Sequence, residues 1–412
     1  MERLDPSPAR LREMGAAALD RLVRYYEGLP ARRISPGASA REIFETVQEP
    51  LPREGCSFEE VLCDVEKLAF DFSRHNGHPR FFGYVASPGV AAASFGDMLA
   101  SALNTNVTSW RSAPGATEIE RVTIEWIKQI VGFAAQGTGL FVSGGSMANL
   151  CALAAARTAK SGVDVAGLGM RAAPRSLRLY VSEEGHFSIS KAASLLGIGT
   201  ANVREIRTGG RLRMDTAALA EAVEADVSAG HQPFCVVANA GTVGTGAFDP
   251  LDEIAAVAQR YGLWLHVDAS YGGFAALAPS AQYFFRQMGA ADSVALDPHK
   301  WLYLPVDCGC VLYRDAAAAH AAFSSAHAEY IRVLNTAADE TFAFRDFGPE
   351  LSRRLRALNV WLLLKHVGTR ALGEAIEANI ACARHLEELA RASDDFELLA
   401  PVELSIFCCR RP

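Results

Sequence analysis

The sequence is poor in the signals that declare a protein class outright. It has no CxxC pair, and no apolar run near the ~18 residues of a membrane helix. A zinc cluster and a membrane span are therefore not expected. The opening stretch, MERLDPSPARLREMG, is charged and has no signal-peptide apolar segment. Nine cysteines, odd in number and scattered, indicate reduced thiols in a cytoplasmic protein rather than a disulfide framework. Excess positive charge is lacking too. Forty basic residues face 47 acidic ones, a formal net charge of −7, a poor match to a nucleic-acid backbone. What is abundant is apolar residues, at 50%, which exclude disorder; 412 residues predict two or three lobes.

The first 80 residues predict a helical segment. Ala9–Leu29 and Ala40–Val47 have helical spacing, and Ser57 opens a third helix with Glu60 at the capping-box position. From 81 to 345 short apolar strands alternate with helices: 178–184, 233–240, 263–270, 292–298 and 308–314, with helices at 147–159, 190–198 and 249–262. That alternation predicts an α/β lobe, a mostly parallel sheet sandwiched by helices, with ligands at the carboxyl ends of its strands. Residues 346–412 predict a small C-terminal domain: a long helix from Leu351, a second over 373–392, and strands in FELLA and ELSIFCC.

The predicted strand ends carry a recognisable set of groups. Ser143-Gly144-Gly145-Ser146 opens a helix and forms an anion cradle of free N–H groups, without GxGxxG or P-loop spacing. Another end carries His186, and another the loop Gly241-Thr242-Val243-Gly244-Thr245-Gly246. Asp268 and Lys300 sit in apolar surroundings, where a carboxylate needs a cationic partner and an amine becomes a nucleophile. Singly, each has an ordinary structural reading as cap, turn or surface residue. Jointly, cradle, imidazole, acid and amine are what pyridoxal 5'-phosphate requires: a Schiff-base lysine, a phosphate site and a carboxylate for the ring nitrogen.

HVDASYGG and DPHKW, together with SGGSMANL and GTVGTGAFD, resemble the group II pyridoxal-phosphate amino acid decarboxylases, of the aspartate-aminotransferase fold (fold type I). HPRFFGYVASPG (78–89) and DMLASALNTNVTSWRSAPGATEIERVTIEW (97–126) extend the likeness upstream. The resemblance implies that Lys300 binds the cofactor covalently, Asp268 pairs with its ring nitrogen, and His186 stacks on its ring. It also implies phosphate contacts from Gly145, Ser146, Thr242 and His299, and a substrate pocket near Arg80, Phe81, Phe82, Tyr84 and Thr108. The N-terminal helices would clasp a second copy, placing the active site at a homodimer interface. The implied reaction is decarboxylation of an L-amino acid, aromatic first among candidates.

Three departures from the family pattern open alternatives. Counting back from Arg353-Arg354, the loop tyrosine that protonates the α-carbon falls at Phe344, with Tyr330 as a remote substitute; a Phe there would accompany an aldehyde product. Thr108 and Arg80 replace aromatic residues of the family, making the pocket less aromatic. The C-terminal domain ends early relative to the family, which together with Phe344 raises a third reading, a catalytically silent paralogue.

Overall fold

The computed structural model describes residues 4–324 and 338–412. The described chain divides into two units, one running to Pro88 and the other from Gly89 to Pro412.

The first unit is built from caps and ion pairs more than from a core. Helix α1 (Pro8–Gly28) starts with a proline in its first turn, where no N–H is needed, and with the Ser7 side chain accepting from Arg10 N. Helices α2 (Ala40–Val47) and α3 (Phe58–Asp64) each open on a complete capping box, Ser39/Glu42 and Ser57/Glu60, the latter as the sequence predicts. None of the three has a fully buried side chain. Arg10–Glu59 (3.0 Å) and Arg24–Glu66 (3.3 Å) tie α1 to α3 and the helical turn that follows it.

The second unit carries the sheet. Helices α4 (Ala91–Leu103) and α5 (Pro114–Val131) lead into β1 (Thr138–Val142) and α6 (Gly145–Lys160). The single turn α7 (Val165–Leu168), β2 (Leu177–Ser182), α8 (Ser188–Leu195), β3 (Val203–Ile206) and α9 (Thr216–Ser228) come next. Then follow β4 (Gln232–Asn239), α10 (Leu251–Tyr261), β5 (Trp264–Ala269), β6 (Ser293–Leu296) and the short α11 (Pro298–Trp301). The unit closes with β7 (Gly309–Tyr313), α12 (Ala316–Phe323), α13 (Ala357–His366), α14 (Gly368–Arg391) and the two-residue strands β8 (Glu397–Leu398) and β9 (Cys409–Arg410).

Seven strands form one sheet in the order β1-β7-β6-β5-β4-β2-β3, with β2 to β6 mutually parallel and β7 antiparallel to both its neighbours. This is the mostly parallel, helix-covered sheet that the alternating pattern predicts. Every residue of β5, β6 and β7 is buried, which explains why these strands read as continuous apolar runs. Each buried Val, Leu or Ile there contributes about 1.5–3 kcal/mol of transfer free energy. Helix α6 lies against the sheet through Ala148, Ala152, Ala155 and Ala156, small residues that allow close approach and bring its N-terminus to the strand ends.

Two segments differ from their sequence patterns. The LSRRLR stretch before α13 is not helical; its arginines instead reach separate acidic partners, Arg353 and Arg356 from buried positions. Arg353 meets Glu120, Arg354 meets Asp97 and Asp307, and Arg356 meets Glu350 and Asp307. ELSIF (403–407) forms no strand either. Side-chain contacts hold it instead: buried Glu403 accepts from Phe248 N (3.0 Å) and pairs with Arg213 (2.6 Å), and Ser405 Oγ meets Tyr271 Oη (2.7 Å).

Candidate active site

The carboxyl ends of β2, β4, β5 and β6, with the N-terminus of α6, surround a cavity of about 350 Å³. Gly145, Ser146, His186, Thr242, Asp268, His299 and Lys300, all named from sequence, line it together. Ser143 and Gly144 of the predicted cradle also line it, as do Asn149, Ser188, Ser270, Tyr271 and Asp297, none of which the sequence singled out for a role.

The cradle is formed by the turn into α6. Met147 N and Ala148 N both return to Gly144 O at 2.9 Å, whereas the Gly145 and Ser146 N–H groups precede any intrahelical acceptor. Gly309 of β7 explains how the turn fits: a Cβ there would lie 2.6 Å from Gly144 C and 2.7 Å from Gly144 N. Gly145 is equally constrained, since a Cβ would meet Ser270 Oγ and come within 2.7 Å of Asp297 Oδ2. Ser270 Oγ and Asp297 Oδ1 are buried and have no hydrogen-bond partner among the described residues. Positive helix end, free N–H groups and the unpartnered Ser270 hydroxyl together fit a bound anion such as a phosphate.

Asp268 sits on the opposite side, at the end of a directional chain of donors. Trp264 Nε1, which can only donate, gives its proton to Ser293 Oγ (2.8 Å). From the other end, the Asp268 carboxylate can only accept, so Asn149 Nδ2 donates to it, Asn149 Oδ1 takes the proton of His266 Nε2 (2.8 Å), and His266 Nδ1 accepts from Ser293 Oγ (2.9 Å). This assigns the Asn149 amide, whose Nδ2 donates to Asp268 Oδ2 (2.8 Å) and Ser188 Oγ (3.0 Å). Ser188 Oγ in turn meets His186 Nδ1 at 2.8 Å, leaving His186 Nε2 as the protonated nitrogen. Burial alone would raise the Asp268 carboxyl, yet donation from Ser270 and Asn149 and the charge of Lys300 hold it below the usual carboxylate range. Burial pushes His266 down to about 4 and lowers His186, so both imidazoles are neutral at pH 7. Asn149 was discoverable from sequence: it lies three residues after Ser146 on a helix, hence on the same face.

Lys300 Nζ lies 3.0 Å from Asp297 Oδ2 on the single turn α11, and His299 Nε2 is 3.8 Å from the same oxygen. His299 is oriented by Nδ1, 2.7 Å from Cys308 O. The Thr242 hydroxyl is partly occupied by its own loop, accepting from Ala247 N (3.1 Å) and pairing with Thr245 Oγ1 (2.9 Å).

Phe344, named from sequence, lies apart from these groups. It is 0% exposed and does not line the cavity. Its ring packs edge-on against Phe342 and under the Arg353 guanidinium (4.6 Å), so apolar burial claims it. Tyr330, the remote substitute, lies outside the described residues. Thr108 lines no part of the cavity; its carbonyl accepts from Arg345 N (3.2 Å). Arg80, Phe81, Phe82 and Tyr84 belong to the first unit, where Arg74 lies over the Phe81 (5.2 Å) and Tyr84 (4.4 Å) rings and Phe82 is 86% exposed.

Comparison with known proteins bears on this geometry. The pyridoxal-dependent decarboxylase conserved domain matches residues 40–411. An aromatic-L-amino-acid decarboxylase of Bacillus atrophaeus is 36% identical over 409 residues, covering 99% of this chain and 83% of that protein. The 4-hydroxyphenylacetaldehyde synthase of Rhodiola rosea is 30% identical, covering 98% of this chain and 84% of its own. Among solved structures, Oryza sativa TDC with PLP and tryptamine superposes with a TM-score of 0.92 at 29% identity, covering 99% of this chain and 84% of that one.

Proposed function

We propose a substrate and a product for this chain from one premise: it belongs to the pyridoxal-dependent decarboxylase family. It has that family's fold type I architecture, is a pyridoxal-phosphate-dependent carboxy-lyase, and acts on an amino acid. The proposed reaction is the decarboxylation of an aromatic L-amino acid to its amine. The supporting observation is that one buried cavity unites a lysine, an ionised aspartate, a neutral histidine and a helix N-terminus.

Pyridoxal phosphate, when bound, supplies an aldehyde that captures amines and a ring that draws electrons from the substrate's α-carbon as carbon dioxide leaves. The chain's own residues do the rest. Gly145 and Ser146 N–H, with the dipole of α6, would hold the phosphate, flanked by Thr242 and His299. Asp268, kept ionised by its donor chain, would hold a proton on the ring nitrogen. His186, neutral and fixed through Ser188, would offer an aromatic face to the ring. Lys300 would provide the amine that attaches the cofactor. Arg80, Phe81, Phe82, Tyr84 and Thr108 remain the proposed substrate contacts, and residues 1–80, 81–345 and 346–412 the proposed clasp, cofactor and small domains.

A homodimer with the active site at its interface belongs to the same proposal, supported by Phe95, Met98, Leu99 and Leu103, which α4 leaves exposed. So does a cytoplasmic location, supported by nine unpaired cysteines. No described helix is long and apolar enough to cross a membrane.

The test is incubation of the pure, cofactor-loaded protein with a mixture of aromatic amino acids. Equal amounts of amine and carbon dioxide are expected. Release no greater than from a Lys300→Ala control would overturn the reading and leave the silent paralogue. Oxygen uptake with peroxide would instead establish the aldehyde outcome. That second reading is supported by the Rhodiola rosea relative, an aldehyde synthase, and no longer by Phe344.

A further inference from the structure

The cavity holds a second buried carboxylate, Asp297, for which the reaction above has no use. It ends β6 one strand over from Asp268 and is 2% exposed. Oδ2 lies beside Gly145, on the lip of the anion cradle, and Oδ1 has no partner among the described residues. The charged and titratable groups around it are Lys300 Nζ (3.0 Å) and His299 Nε2 (3.8 Å) on its own turn, Asp268 from β5 and His186 from the β2 end. The buried thiols of Cys308, just before β7, and Cys310, within it, flank it and are pushed up, hence uncharged.

Loading the cofactor changes these surroundings in two ways, both in one direction. A phosphate held by the Gly145 and Ser146 N–H groups sets a second anion beside the carboxylate. Lys300, the nearest cation, would meanwhile be consumed: its nitrogen would form a C=N bond to the aldehyde carbon, the aldehyde oxygen would leave as water with two of the three ammonium protons, and the third, released to solvent or kept on the imine nitrogen and balanced there by the ring's own phenolate, would no longer neutralise Asp297. Two anions packed together in a buried site cannot both stay ionised. The phosphate keeps the helix dipole and its N–H donors, whereas the carboxylate keeps only His299.

We propose that Asp297 takes up one proton from solvent when the cofactor binds, and then faces the phosphate as a hydrogen-bond donor. It makes this enzyme's hold on its cofactor weaken as pH rises, a regulation built into the cradle. Burial already raises the Asp297 carboxyl above the usual range, with Lys300 opposing that rise. The inference rests on the cradle being the phosphate site.

The test is calorimetric titration of cofactor-free protein with pyridoxal phosphate, and separately with pyridoxal, in buffers of different ionisation heat between pH 6 and 9. Wild type should take up about one proton more than Asp297→Asn on binding pyridoxal phosphate. Above pH 7 its dissociation constant should rise about tenfold more per pH unit than the variant's. Equal proton counts, with pyridoxal phosphate still bound far more tightly than pyridoxal, would overturn the proposal while sparing the cradle. Equal affinity for the two compounds would overturn both. If Asp297→Asn does not fold, infrared difference spectra of wild type decide: a carboxylic C=O band gained on loading supports the proposal, and no such band refutes it.

Discussion

Asp268 and Asp297 end neighbouring strands of one sheet, and their carboxylates line the same cavity. Both are almost fully buried, yet they are displaced from the ordinary carboxylate range in opposite directions. Burial pushes each upward by the same mechanism. Asp268 receives an amide N–H from Ser270 and a fixed amide from Asn149, and stays ionised. Asp297 has one ammonium, that of Lys300, and an oxygen with no described partner. The contrast teaches that donors, not depth, decide which buried acid keeps its charge.

The most damaging way to break this contrast is Lys300→Ala. It removes the cation beside Asp297 and the amine that attaches the cofactor, and carbon dioxide release should fall on the order of 10⁴-fold or more. Borohydride should then no longer fix the cofactor's mass on the peptide carrying position 300. Asp268→Asn attacks the well-supplied side. Losing the charge that holds the ring-nitrogen proton removes about 2.7–4 kcal/mol of transition-state stabilisation, so kcat should drop roughly a hundredfold to a thousandfold with cofactor still bound. An unchanged kcat would show that Asp268 does not act on the ring.

The donor chain behind Asp268 should be visible in acid. His266 in the folded protein titrates at about 4, below its ordinary 6.5. As pH falls below 6.5, the unfolded chain binds a proton that the folded chain refuses. This group's stabilisation is therefore complete above 6.5 and lost on the way down to about 4, a loss of about 3 kcal/mol. Denaturant unfolding of wild type against His266→Gln should show the extra loss only in wild type. The smallest effect is a control on neither side. Phe344→Tyr puts a hydroxyl into an apolar cluster, costing about 1–3 kcal/mol of stability, and should leave the ratio of amine to aldehyde unchanged. A changed ratio would return Phe344 to the active site.

Much of this was legible in the chain. Lys300, Asp268, His186 and the Gly145-Ser146 turn could be picked out because each follows an apolar strand, and strand ends are where such sheets bind ligands. Ser188 and His266 were not, because a hydrogen-bond chain linking α6, α8 and β5 has no sequence spacing. The packing of Phe344 was not legible either. Counting along a loop cannot see that Arg353 and Phe342 have already enclosed the ring.

The sequence by itself determined the alternation of strands and helices, the helix caps and the identity of the chemical groups, since all of these depend on neighbours a few residues apart. Only the tertiary structure decided which of those groups share a cavity and which carboxylate keeps its charge. Both depend on the donors and charges that distant strands and helices bring within about 3 Å, where electrostatic energies in a buried site are largest.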